Sequence, residues 1–135
     1  MHFFPICITI IQNQQRSITK LFLEYPPCTT CKKAKKWLDD NAVAYEARHI
    51  KENNPTYEEL KTWYEKSGLP LKKFFNTSGI QYRALELKDK LPGMSEEEQL
   101  RLLASDGMLV KRPLVVTETA VLTGFKAETW EKVLK

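Results

Sequence analysis

Apolar and polar positions along the chain follow two periods, and their order predicts the elements. Lys20-Leu21-Phe22-Leu23-Glu24-Tyr25 is short, apolar and β-prone, and predicts a strand over 20–25. Ala34, Trp37 and Leu38 then fall at i, i+3 and i+4, one face of a helix, which predicts a helix over 30–41. Val43-Ala44-Tyr45-Glu46-Ala47-Arg48 predicts a second strand over 43–48. The short link through Asp40-Asn41-Ala42 makes a βαβ unit, so these two strands should run parallel.

The middle of the chain reads as helices. Thr56-Tyr57-Glu58-Glu59 is a capping box, Tyr57, Leu60 and Tyr64 share a face, and Gly68 is a stop. A link from Pro70 to Asn76 carries Lys72-Lys73-Phe74-Phe75. Ser78-Gly79-Ile80-Gln81 matches a second box and opens a stripe of Ile80, Ala84, Leu87 and Leu91, closed by Pro92-Gly93. Ser95-Glu96-Glu97-Glu98 is a third box, followed by Leu100, Leu103 and Ala104. Three short helices inserted after the second strand are the expectation.

After Lys111-Arg112-Pro113, Leu114 to Thr117 predicts a strand that begins just past the proline, a position that tolerates it. Glu118-Thr119 is a tight turn, and 120–123 an antiparallel return strand. Ala127 to Leu134 is a last helix with Trp130, Val133 and Leu134 inward. The order β-α-β, helices, β-β-α gives an α/β chain with a thioredoxin-like fold: a four-stranded mixed sheet with an inserted helical subdomain.

At 135 residues the chain suits one domain, and 42% apolar with 28% charged residues suits a soluble globule with its own core. The expected domain is 20–135. Residues 1–19 read as a poorly ordered N-terminal extension, with an added edge strand as the alternative. Their apolar run, Phe3 to Ile11, lacks a basic n-region and is too short to span a bilayer, so neither a signal peptide nor a membrane anchor is expected. The net charge of +4 is a weak bias towards anions and no signature of direct nucleic-acid binding.

Chemistry enters with Tyr25-Pro26-Pro27-Cys28-Thr29-Thr30-Cys31-Lys32, where the first strand hands over to the first helix. The first turn of a helix has backbone N–H groups without intrahelical partners and a dipole that favours negative charge. A thiol there is shifted towards the thiolate, which is the nucleophile. Cys28 is the expected attacker and Cys31 the resolving partner. Lys32 adjoins the thiols and would favour the thiolate, while Lys33, Lys35 and Lys36 read as a solvated helix face. Cys7 reads as an incidental thiol. Three cysteines with one close pair suit a reducing, cytoplasmic compartment rather than a secreted disulfide framework. No metal is expected: zinc needs about four ligands, and His2 and His49 make no such pattern with the pair.

These stretches resemble the arsenate-reductase-like, Spx and MgsR family, the ArsC-like branch of the thioredoxin and glutaredoxin superfamily. The resemblance rests on Cys28 to Ala34, Leu71 to Gly79, Tyr82-Arg83, Leu102 to Met108, Lys111-Arg112-Pro113 and Gly124-Phe125-Lys126, in the family's order from Lys20 to Lys135. It implies Cys28 as nucleophile, a cis peptide before Pro113 packed across from the thiols, and Arg112 as a cation beside Cys28. Glutaredoxin-coupled arsenate reductases use three arginines around the cysteine. Only Arg112 has a counterpart here; the second position falls on Lys72 or Lys73 and the third near Phe125. A lysine offers charge without the planar fork of arginine.

The reading is a thiol–disulfide oxidoreductase, arsenate-reductase-like. Cys28, Cys31 and Arg112 form the catalytic set, and Pro113, Lys32, Lys72 and Lys73 meet a small-molecule or protein disulfide or an oxyanion. No bound cofactor is expected; glutathione, glutaredoxin or thioredoxin would supply electrons. The alternative is an Spx-type redox-sensing regulator that acts through RNA polymerase.

Overall fold

The computed structural model describes residues 20–135. The expected extension 1–19 and its Cys7 and His2 lie outside the described residues. Strand β1 (Lys20–Glu24) leads into α1 (Thr29–Asp40), and β2 (Tyr45–His49) returns parallel to β1, with Lys20 opposite Tyr45 and Glu24 opposite His49. Strand β2 starts two residues later than 43–48 predicts. Ala42 takes a left-handed φ of 54°, and the Val43 N–H donates to the Leu38 carbonyl at 3.0 Å, so Val43 serves the turn that closes α1.

Strands β3 (Leu114–Val116) and β4 (Val121–Thr123) form an antiparallel hairpin, and β3 pairs antiparallel with β1, giving the order β2-β1-β3-β4. Thr117 organises the turn: its Oγ1 accepts from the N–H of Ala120 at 2.9 Å and of Thr119 at 3.2 Å. The last helix, α6, spans Ala127–Leu134.

Between β2 and β3 lie α2 (Tyr57–Ser67), α3 (Ile80–Ala84), α4 (Leu87–Lys90) and α5 (Glu96–Ser105), with 3-10 turns at Leu71–Phe74, Leu91–Gly93 and Gly107–Leu109. The boxes at Thr56–Glu59 and Ser95–Glu98 close reciprocally. The box expected at Ser78 does not form: Gly79 is the N-cap of α3 and no side chain caps it. The middle helix is broken where Glu86 takes φ 55°, which rotates the stripe out of phase. Tyr82 and Leu87 are buried, whereas Ile80 is 79% exposed. Val133, expected inward, is also exposed; Trp130 and Leu134 alone anchor α6.

Alternation along the central strands sorts the core, because successive side chains point to opposite faces. Phe22 and Val115 pack with Ala34, Leu38, Trp130 and Leu134 beneath α1 and α6. Leu23, Leu114 and Val116 face the helical insert through Leu60, Trp63, Phe74 and Leu103. Each large apolar side chain so buried contributes about 1.5–3 kcal/mol. This is the thioredoxin-type arrangement, a mixed four-stranded sheet with helices on both faces.

Backbone bonds tie the ends of the insert together. Phe75 bridges Val110, the Asn76 N–H donates to the Leu109 carbonyl at 2.8 Å, and the Lys111 N–H donates to the Phe74 carbonyl at 2.8 Å. The Lys72-Lys73 turn is thereby held beside Lys111 and Arg112.

Candidate active site

Cys28 is the N-cap of α1, with extended φ and ψ of −71° and 126°. Its own N–H donates to the Tyr25 carbonyl at 2.8 Å, and its carbonyl accepts from the Lys32 N–H at 3.0 Å. A turn over Pro26-Pro27 thus delivers the thiol to the first N–H groups of the helix. Burial opposes ionisation of Cys28. The N–H groups of Cys31 and Thr30, the Cys31 thiol and the Arg112 guanidinium outweigh it and hold the Cys28 pKa below the ordinary thiol value. The thiol stays partly exposed.

Cys31, three residues on, is fully buried. Burial is the main reason its thiol is pushed up to about 12, and charge on Cys28 adds to it. The Tyr25 N–H, 3.5 Å from Cys31 Sγ, and the Arg112 charge act the other way. Both cysteines are free thiols. The two sulfurs of one C-x-x-C therefore sit in opposite states: an outer thiol biased towards the anion and an inner one held neutral.

The peptide between Arg112 and Pro113 is cis. Pro113 is buried at the head of β3. The Arg112 guanidinium carbon lies 5.1 Å over the Tyr25 ring, a cation–π contact that holds it near Cys28. Its Nη1 reaches the Met108 carbonyl at 3.5 Å, and its Nε is buried without a partner among the described residues.

Cys28 and Arg112 open onto a cleft of about 950 Å³. Lys72 and Lys73 line it; Lys32 is exposed on α1 and does not. Of the other helix lysines, Lys35 pairs with the buried Glu24 at 3.2 Å and Lys36 with Asp40 at 2.7 Å, which fits a solvated face. The sequence reading passed over Lys111, Asn76 and Lys126, which also line the cleft. Lys111 and Lys126 stand beside Arg112 and Gly124-Phe125 in sequence, but only the folded chain brings those two stretches to one wall. Gly124, with φ 73°, lets the Lys111 stem pass: an added Cβ would stand 3.2 Å from Lys111 Cε.

Among the described residues, no group of three or more His, Cys, Asp and Glu comes together to hold a metal ion, and no helix is long and apolar enough to cross a membrane.

Residues 23–133 match the model of the ArsC family. The chain is 59% identical over 111 residues to the uncharacterised protein YusI of Bacillus subtilis, covering 82% of this chain and 94% of that one. It is 30% identical over 104 residues to the regulatory protein MgsR of the same organism, covering 77% of this chain and 81% of MgsR. A crystal structure of an ArsC family related protein from Bacteroides fragilis superposes with a TM-score of 0.85 at 62% identity, covering 88% of this chain and 99% of that one.

Proposed function

The chain belongs to the ArsC family, and on that basis we propose that it is a thiol–disulfide oxidoreductase of the arsenate-reductase-like kind, with Cys28 attacking and Cys31 resolving. The observation that carries this reading is the placement of the two thiols one helical turn apart: Cys28, partly exposed, at the N-cap of α1 and the mouth of the cleft, and Cys31 fully buried behind it, which favours the thiolate on the first and the neutral thiol on the second.

The Cys28 thiolate attacks one sulfur of a substrate disulfide. A Cys28–substrate S–S bond forms, the substrate's own S–S bond breaks, and its second sulfur leaves as a thiolate that takes a proton from solvent. Cys28 no longer carries charge, so one of the influences that keep Cys31 protonated is gone. Cys31 then loses its proton and attacks Cys28 Sγ. The Cys28–Cys31 bond forms and the remaining substrate half leaves as a thiol. The substrate gains two electrons and the pair loses them. Two glutathione thiols, or the dithiol of glutaredoxin or thioredoxin, return the electrons by the same exchange. Arg112 stabilises the Cys28 thiolate before attack and again when that thiolate is the leaving group.

Similarity to the regulatory protein MgsR and to a global transcriptional regulator Spx favours a second reading, a redox-sensing regulator in which the same disulfide switches a binding surface, with RNA polymerase as the expected partner. One set of measurements separates them. Iodoacetamide at mildly acidic pH should label Cys28 before Cys31, and oxidation should yield an intramolecular Cys28–Cys31 bond by mass spectrometry. Cys31→Ser should stall as a mixed disulfide, and Cys28→Ser should be inert. Preferential labelling of Cys31 reverses the roles. Redox-dependent capture of RNA polymerase by a protein with no disulfide turnover would establish the regulator instead.

A further inference from the structure

Among the described residues, the cleft in front of Cys28 is lined by five basic side chains, Lys72, Lys73, Lys111, Arg112 and Lys126, and by no aspartate or glutamate. None of the five makes an ion pair among the described residues, although lysines and arginines elsewhere do so with Glu24, Asp40, Glu59, Glu97 and Glu131. The cations come from three separate stretches: the 3-10 turn at Leu71–Phe74, the segment before β3, and the N-cap of α6. The fold therefore gathers unneutralised charge along the cleft, beyond the single cation beside the thiol. Between the cations the wall is mixed, with Leu69, Leu122 and Phe125 alternating with the polar Asn76, Thr77 and Thr123.

Size separates the candidate ligands. A tetrahedral oxyanion has five heavy atoms and could engage one or two of these cations. At about 950 Å³ the cleft stands at the top of the range of about 300–1,000 Å³ that holds whole drug-sized ligands. An occupant that meets all three cationic stretches at once carries several anionic groups spaced along its length, which a run of Asp and Glu side chains on an extended segment provides.

We propose that this cleft takes an acidic segment of a partner protein, seated so that a disulfide within the segment lies against Cys28 and flanking Asp and Glu side chains meet Lys72, Lys73, Lys111 and Lys126. This rests on the oxidoreductase reading for its chemistry, which is the exchange written above: the segment's S–S bond breaks as the Cys28–S bond forms. The recognition rests on the cleft alone. Charge complementarity also sets encounter rate, so attraction along the cleft should raise association at low salt.

Fluorescence anisotropy with the reduced full chain tests recognition apart from chemistry. The probes are labelled hexapeptides in which serine replaces the cysteine and the flanking residues are all Asp and Glu, all Ser and Thr, or all Lys. The acidic peptide should bind at least about tenfold more tightly than the neutral one, a difference of about 1.4 kcal/mol, with the lysine peptide weakest. The preference should shrink as salt rises, and Lys72→Glu/Lys126→Glu should abolish or invert it while leaving the circular dichroism spectrum unchanged. Equal binding of the three peptides, or displacement of the acidic peptide by equimolar arsenate or glutathione disulfide, would overturn the assignment. The same peptides as cysteine mixed disulfides with neutral 2-mercaptoethanol then read turnover. Charge-selective binding without any turnover would overturn the oxidoreductase reading and leave the acidic-segment assignment standing; turnover without charge selectivity would do the reverse.

Discussion

The Arg112 guanidinium rests on the face of Tyr25, 5.1 Å from the ring centre, with its Nε buried and unpartnered among the described residues. Most arginines this enclosed are fixed by a carboxylate, as Arg48 is by Glu59 at 2.7 Å. An aromatic face positions Arg112 without neutralising it, so its charge remains available to Cys28.

Removing that charge should raise the Cys28 pKa. The Arg112 hydrogen bond is the smallest of the influences that lower it, after the Cys31 and Thr30 N–H groups and the Cys31 thiol, so the rise in Arg112→Ala should be partial and leave Cys28 the more acidic of the two thiols. Arg112→Lys should recover part of the shift, because charge is kept and the planar fork is lost. Tyr25→Leu should lie between wild type and Arg112→Ala, since the guanidinium loses its platform. Thiolate absorbance against pH reads all three, and an unchanged Cys28 pKa in Arg112→Ala would remove Arg112 from the thiolate's support.

The two cysteines should leave opposite marks on stability. Cys31, pushed up to about 12, keeps its proton in the folded state where an unfolded thiol, with pKa about 8.5, has lost it. The unfolded state binds fewer protons there, so stability falls as pH rises through that window, by at most about 1.4 kcal/mol per unit. Cys28, with a lowered pKa, contributes stability above the unfolded value that is lost as pH falls through the folded one, a window below about 8.5. Tyr45, pushed up to about 12 by burial and its bond to Asp39, joins in only above about 10. Tyr64 and Tyr82 are raised as well and, like Tyr45, begin to contribute at about 10, so it is the comparison of wild type with Cys31→Ala in urea titrations under reducing conditions at about pH 9 and about pH 10 that isolates Cys31. Wild type should lose up to about 1.4 kcal/mol more than Cys31→Ala between them. Equal losses would mean that Cys31 ionises as an ordinary thiol.

The parts of the fold that local chemistry dictates were legible in the sequence. Apolar β-prone runs marked β1, β3 and β4, and Thr56 and Ser95 with Glu59 and Glu98 three residues on marked the starts of α2 and α5. Ser78 followed by Gln81 carried the same letters and formed no cap, because the helix begins one residue later: the Gly79 N–H is turned back to the Asn76 carbonyl at 3.0 Å and Gly79, with no side chain to cap, takes the N-cap position. Periodicity failed at Ile80 because a helix broken at Glu86 has no single face. Trp63 was passed over beside Tyr57 and Tyr64, although it is the more deeply buried. The site divides the same way. Cys28 and Cys31 announce themselves by spacing at a strand-to-helix junction. Lys111 and Lys126 become cleft residues only through long-range bonds that no local pattern encodes, such as Lys111 N–H to the Phe74 carbonyl and Gly124 N–H to the Pro113 carbonyl at 2.8 Å.

Gly107 links the insert to the site and gives the sharpest stability expectation. It is buried in the turn Gly107–Leu109, and a Cβ added there would lie 1.8 Å from the Ile50 carbonyl oxygen and 2.8 Å from its carbon. Both neighbours are backbone just past β2, where the Ile50 N–H is already bound to the Glu24 carbonyl at 2.8 Å, so they cannot yield as a side-chain tip would. Overpacking in a core costs about 1–3 kcal/mol, and a backbone contact this close belongs at or above the upper end. Gly107→Ala should thus lose about 3 kcal/mol or more in urea titration. Gly93→Ala is the matched control: among the described residues nothing lies within 4 Å of its added Cβ, and its φ is not positive. It should stay within about 0.5 kcal/mol of wild type. The damage at Gly107 should also reach the thiol. The next residue, Met108, offers the carbonyl that Arg112 Nη1 approaches, and the same segment runs on into Arg112 itself. In the folded fraction of Gly107→Ala the Cys28 pKa should therefore rise towards that of Arg112→Ala, while Gly93→Ala leaves it in place. A Gly107→Ala protein with wild-type stability would mean that the 106–111 segment is free to move away from Ile50, and that Arg112 is held by Tyr25 alone.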